Sequence, residues 1–196
     1  MSSSQTSPPL AYCVRHGETA WSRSGQHTGR TDLQLTADGE VAAKALGVRL
    51  KELNFTHVFS SPLIRAWNTC QLAGFGTVAE RDPDLMEWDY GQYEGLKTVD
   101  IKSQNPKWDL FREGTPGGET PKDVAARVDR VIAKVRAAKG NVLLFSSGHL
   151  LRVLASRWLG QDVSFARFLL LGTGTISVLG YDHNDVKEPA IKHWNT

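Results

Sequence analysis

The segment Leu10-Ala11-Tyr12-Cys13-Val14-Arg15-His16-Gly17-Glu18 begins as an apolar run and ends in charge. A run this short and uninterrupted reads as a buried strand. The residues after it place an imidazole directly beside a guanidinium. Gly17 permits a sharp turn and a close approach of the backbone to a ligand. The strand therefore presents Arg15 and His16 at its C-terminal end, where open α/β sheets bind their ligands. A neutral imidazole in that place can attack phosphorus while the guanidinium holds the phosphoryl oxygens.

Downstream, helix signals alternate with strand signals. A helix is expected from Thr36 to about Leu53, with Ala42, Ala45, Leu46, Leu50 and Leu53 on one apolar face. Thr56 to Ser60 reads as a strand. Ser61-Pro62 follows as N-cap and first residue of a helix through Cys70. Residues 81–118 hold Pro83, Pro106, Pro116 and several glycines, and they read as a long irregular connection of the kind that usually carries function. Thr120-Pro121-Lys122-Asp123 opens another helix with a capping-box start, and Val124, Val128, Val131, Ile132 and Val135 form its core stripe. Asn141 to Ser146 is a strand, Leu150 to Leu159 a helix stopped by Gly160, and Thr175 to Tyr181 the last clear strand. This alternation predicts an α/β fold, a three-layer α/β/α sandwich around a mostly parallel central sheet. Residues 10–196 are expected to form a single domain, preceded by a flexible Ser/Pro-rich tail over residues 1–9.

Composition narrows the function. The 196 residues suffice for one substantial core. The 23 Lys and Arg nearly balance 21 Asp and Glu, so the chain lacks the basic excess typical of nucleic-acid binders. No apolar stretch approaches the length of a membrane span, and no secretory signal pattern opens the chain. The two cysteines, Cys13 in a strand and Cys70 in a helix, read as buried thiols of a reducing, cytoplasmic environment. The tryptophans suit core packing first.

Three strand ends carry polar groups: Arg15-His16, Ser61 with Arg65, and Gly148-His149. A parallel sheet brings neighbouring strand ends together. Arg65 falls in the first turn of its helix, whose free N–H groups and dipole favour an anion; a lone arginine is otherwise a solvated surface charge. His149 stands at the start of a helix, where a capping role is the simpler alternative. No HxxxH or CxxC spacing accompanies the two histidines, so no metal is expected.

The segments Arg15-His16-Gly17-Glu18-Thr19, Gly25 to Asp32, Ser61-Pro62-Leu63-Ile64-Arg65-Ala66 and Ser147-Gly148-His149 together resemble the histidine phosphatase, or phosphoglycerate mutase-like, superfamily. That resemblance implies a phosphoglycerate mutase-like fold and a metal-independent phosphatase without cofactor. His16 would be the nucleophile that becomes phosphohistidine. Arg15, Arg65 and His149 would bind the phosphoryl oxygens. Glu87, in Met86-Glu87-Trp88-Asp89-Tyr90-Gly91, matches the family's acid/base, with Asp89 and Glu94 as rival carboxylates.

Further segments are similar to the fungal sedoheptulose-1,7-bisphosphatases: Trp21 to Gln26, Glu87 to Gly95, Phe111 to Gly114 and Val178 to Tyr181 among them. By position, Ser22, His27, Thr28, Gly29, Tyr90, Arg112, Gly148 and Thr175 would touch substrate, and Arg112, Arg30 or Lys97 would meet a second phosphate. Two departures stand out: His27 replaces an aromatic residue, and the stretch from Gly160 to Gly172 is short. The expected substrate is a small phosphorylated metabolite, a sugar phosphate or bisphosphate, with neither nucleic acid nor membrane as partner. The alternatives are a phosphoglycerate mutase, a broad-specificity phosphatase and a silent phospho-ligand binder. The absence of an Arg-Arg pair argues against the mutase, and the set His16, Arg15, Arg65, Glu87 and His149 argues against the binder.

Overall fold

A computed structural model describes residues 7–196. Most of the expected tail, residues 1–6, lies outside the described residues, and residues 7–9 join no helix or strand. In chain order the strands are β1 (Ala11–Arg15), β2 (His57–Ser60), β3 (Glu80–Arg81), β4 (Val142–Ser146), β5 (Ile176–Tyr181) and β6 (Pro189–His193). They form one sheet in the order β3-β2-β4-β1-β5-β6. Strands β1 to β4 are mutually parallel; β5 runs against β1, and β6 runs against β5. Strand β5 alone therefore opposes the common direction. Strand β6 was not expected from the sequence; its Lys192 and His193 interrupt the alternation that marks a strand.

The helices are α1 (Ala20–Ser24), α2 (Ala37–Leu50), α3 (Ile64–Leu72), α4 (Thr98–Gln104), α5 (Leu110–Glu113), α6 (Pro121–Ala137) and α7 (Gly148–Trp158). The sheet separates two cores. Val142 and Leu144 of β4 pack with the α6 and α7 side, whereas Leu143 and Phe145 pack with Leu46 and Leu50 of α2 and Cys70 of α3. Successive strand residues point to opposite faces, so an unbroken apolar strand such as β4 serves both layers at once. The α6 stripe is buried throughout, and Thr120 and Asp123 close its capping box.

Several local expectations are corrected. The buried face of α2 is Gly39, Ala43, Leu46 and Leu50; Ala45 and Leu53 are exposed. Ser61-Pro62 precedes α3 as a turn in which Ser61 Oγ accepts from Leu63 N, and Leu63 is the N-cap. The stretch 81–118 contains α4 and α5. Both are too short to show a helical period.

Gly17 is needed for packing within the protein. A Cβ there would lie 2.3 Å from the Gly39 carbonyl oxygen, and one on Gly39 would lie 2.2 Å from the Glu18 oxygen. Two bare backbones thus seat the first turn of α2 against the loop that follows His16. Cys13 and Cys70 are both free and buried, and burial pushes each thiol up to about 12.

Candidate active site

Parallel pairing sets Arg15 of β1 opposite Ser146 of β4, and the His16 N–H donates to the Ser146 carbonyl at 3.0 Å. On the other side of β4, the Ser61 N–H donates to the Phe145 carbonyl at 2.9 Å. The three strand ends singled out in the sequence are therefore neighbours. The ends of β1 and β4 border a cavity of about 220 Å³ whose wall includes Arg15, His16, Glu87, Gly148 and His149.

His16 is 4 % exposed, and its Nδ1 meets the carbonyl of Gly17 at 2.7 Å. A carbonyl only accepts, so Nδ1 carries the proton and Nε2 keeps its lone pair. Burial, followed by the positive charges of Arg65 and Arg15, holds the imidazole well below its ordinary value. Gly17 N–H donates to Thr69 Oγ1, which donates in turn to the Arg65 carbonyl, so α3 braces the turn that carries His16.

Arg15 Nη1 donates to the Leu171 carbonyl, and Nε is buried without a protein partner. A Cβ on Gly148 would stand 3.1 Å from the Arg15 guanidinium carbon, so a bare backbone lets the guanidinium lie flat against the start of α7.

Glu87 occupies a place that sequence reasoning did not foresee. Its Oε1 accepts from Trp88 N at 2.9 Å and Leu150 N at 2.8 Å, and its Oε2 accepts from His149 N at 2.9 Å. The carboxylate thus caps the N-terminus of α7. Ser147 stands at the N-cap position, yet its hydroxyl makes no cap bond and is buried without a partner. The free N–H groups and dipole of a helix start favour a negative charge.

A clamp holds the Glu87 segment in turn. Arg127 on α6 forms a two-pronged pair with Glu119, at 2.7 and 2.8 Å, and donates to the carbonyls of Asp84 and Met86. Glu119 also accepts from Asp89 N. Arg127 falls among the α6 valines, and a charge inside an apolar stripe is the signal that could have found it.

Tyr90, 1 % exposed, makes a hydrogen bond from its hydroxyl to His149 Nδ1. Burial and the nearby Glu87 charge raise the phenol well above its ordinary value, so it keeps its proton and can donate it to Nδ1. When Tyr90 donates, His149 accepts at Nδ1 and carries its proton on Nε2. Burial, then Arg152, His27 and Arg15, hold His149 well below the ordinary imidazole value.

The remaining expected residues divide. Ser22, His27 and Thr28 line the cavity. His27 stands 4.8 Å from Tyr90 and 5.8 Å from His149 between ring centres. Gly29, Arg112 and Thr175 do not line it. Gly29 donates its N–H to Glu94, the Thr175 hydroxyl donates to Gly172, and Arg112 lies on neighbouring surfaces. Arg65 is fully buried behind the wall, where it donates to the carbonyls of Thr28, Gly29 and Thr31. Its guanidinium pins the loop that carries His27 and Thr28, while its Nε, like that of Arg15, is buried without a protein partner. Arg152 and Thr98 line the cavity without having been singled out. Arg152 follows His149 by three residues, a spacing that puts both on one helix face.

Among the described residues, the potential metal-ligating group is Asp182, His183 and Glu188, exposed beyond the end of β5. Because β5 is antiparallel to β1, that group sits at the opposite end of the strands from His16.

A mixed sheet with helices on both faces and a His/Arg/Glu/His cavity at its parallel strand ends defines a phosphoryl-handling α/β enzyme. Residues 11–196 match the model of the histidine phosphatase superfamily (branch 1), and the chain belongs to that family. It is a phosphatase, a phosphoric monoester hydrolase. An acid phosphatase of Mycobacterium tuberculosis is 38 % identical over 182 residues, covering 91 % of this chain and 89 % of the relative. A sedoheptulose 1,7-bisphosphatase of Saccharomyces cerevisiae is 31 % identical, covering 94 % and 92 %. The solved structure of an open reading frame product from Mycobacterium tuberculosis superposes with a TM-score of 0.87 at 34 % identity, covering 95 % and 97 %.

Proposed function

We propose that this chain is a metal-independent phosphatase of small phosphorylated metabolites, sugar phosphates or bisphosphates, working in the cytoplasm as a single domain. The observation that carries this reading is the His16 ring, held neutral by burial and by two cations, with Nδ1 engaged on Gly17 and Nε2 free at a polar cavity. A neutral, oriented imidazole is a competent nucleophile toward phosphorus.

His16 Nε2 attacks phosphorus, the P–O bond to the leaving group breaks, and phosphohistidine forms. A proton brought by the phosphate monoanion passes through the Glu87 carboxylate, on the cavity wall, to the leaving oxygen, and the carboxylate then takes one from the water that cleaves phosphohistidine. Arg15 and the Nε2–H of His149 meet the charge on the transferring phosphoryl oxygens. The unpartnered buried Nε of Arg15 supports this, because an orphan donor costs on the order of 1–3 kcal/mol until a ligand oxygen reaches it. Arg65 contributes from behind, by positive potential and by fixing the Thr28–Thr31 backbone.

The test is a rapid acid-free quench with a phosphate ester labelled on phosphorus, with chelator present. Label is expected on wild-type protein in a form stable to base and labile to acid, and none on His16→Ala. Label or full turnover in His16→Ala would remove His16 as nucleophile.

A further inference from the structure

Beside the catalytic cavity lies a second one of about 470 Å³, and the two share His27, Thr98 and His149 on their walls. The far wall comes from α4, α5 and the turn between them, with Arg167 paired to Asp109 of that turn. Four cationic side chains face it, Lys102, Lys107, Arg112 and Arg167, against two carboxylates, Asp109 and Glu113. The net charge of the whole chain is only +2, so this is a local concentration of positive charge.

The carboxylates are already engaged. Asp109 pairs with Arg167 at 3.0 Å and accepts from Phe111 N at the start of α5, and Glu113 accepts from Asp109 N at 3.0 Å. Among the described residues Lys102 and Lys107 have no ion-pair partner. The two other candidates for a second phosphate are placed elsewhere: Arg30 pairs with Asp89 and Glu119, and Lys97 lines neither cavity.

We propose that this second cavity receives a second phosphate, carried at the far end of the same substrate and held first by Lys102 and Lys107. The proposal rests on the phosphatase reading above. One phosphate sits at His16, the hydroxylated carbon chain passes His27, Thr98 and His149, and the other phosphate meets the lysines. Lysine suits this task, since a compact ammonium on a flexible stem follows an anion without demanding one geometry.

The test compares wild type with the Lys102→Ala/Lys107→Ala double variant on fructose 1,6-bisphosphate and fructose 6-phosphate at low ionic strength. The ratio of kcat/KM between bisphosphate and monophosphate should favour the bisphosphate in wild type and fall about tenfold in the variant, through KM. An equal loss on both esters, an unchanged ratio, or a wild type without preference for the bisphosphate overturns the proposal. The same lysine pair removed in a His16→Ala background should weaken fructose 1,6-bisphosphate binding by calorimetry about tenfold. This second arm judges the subsite even if wild type hydrolyses neither ester, an outcome that would sink the phosphatase reading alone; undiminished binding there overturns the subsite.

Discussion

Replacing Glu87 by glutamine separates two roles that one carboxylate combines. In the structure its two oxygens accept three backbone N–H groups, from Trp88, His149 and Leu150, at 2.8 to 2.9 Å. An amide keeps one accepting oxygen and turns a donor toward the remaining N–H. If the oxygen stays with Trp88 and Leu150, the His149 N–H is left facing an NH₂ group. One buried unsatisfied N–H costs about 1–3 kcal/mol. Losing the negative charge at the helix start costs about 0.3–2 kcal/mol more. The side chain is 5 % exposed, so water cannot readily make good the loss. Together these give a destabilisation of about 3 kcal/mol, which for a chain of this size lowers the melting temperature by roughly 6–12 °C. Thermal unfolding followed by calorimetry at neutral pH reads this directly. In parallel, loss of the proton donor should lower kcat by about 10²–10⁴-fold. A Glu87→Gln protein that melts with wild type would refute the capping argument. One that melts early yet turns over at the wild-type rate would leave the carboxylate as a cap and remove it from the chemistry.

Three further outcomes follow from the same geometry. His16 and His149 both titrate well below the ordinary 6.5 in the folded state, so below that pH the unfolded chain binds more protons. The stability they contribute is present above pH 6.5 and is lost as pH falls, by about 1.4 kcal/mol per unit for each ring; equal urea midpoints at pH 7.5 and 5.5 would contradict this. Tyr90→Phe removes the donor to His149 Nδ1, and kcat should fall about tenfold while the loss of one hydrogen bond costs about 0.5–1.5 kcal/mol; unchanged kcat would show that the phenol does not set the tautomer. Arg65→Lys cannot span the Thr28, Gly29 and Thr31 carbonyls, and should destabilise by about 2–3 kcal/mol in denaturant titration and increase amide exchange over residues 28–31; exchange at the wild-type rate would return Arg65 to a purely electrostatic role.

Much of the fold was legible because its signals are local. Leu10 to Val14 and Val142 to Ser146 are short apolar runs, and both are central strands. Thr120 with Asp123 and the valine stripe announce α6. Strand β6 and the short helices α4 and α5 were not legible, since four to seven residues are too few to show a period and tertiary contacts decide their state. At the site, Arg15, His16 and His149 could be placed by the rule that parallel strand ends converge. Gly29, Arg112 and Thr175 do not reach the cavity beside His16, and Arg112 lines the neighbouring one, because resemblance along a chain carries no direction for a side chain.

The sequence by itself determined the layered α/β architecture, the convergence of Arg15-His16 with Gly148-His149, and the phosphoryl chemistry those residue types support. These follow from periodicity and from the fixed geometry of parallel strands. Only the tertiary structure decided that Glu87 caps α7 across more than sixty residues of chain, that Arg65 binds backbone carbonyls behind the cavity, that the Tyr90 hydroxyl meets His149 Nδ1, and that Lys102 and Lys107 face a second cavity. Hydrogen-bond direction and burial depend on which distant segments meet, and no local pattern in the chain encodes that meeting.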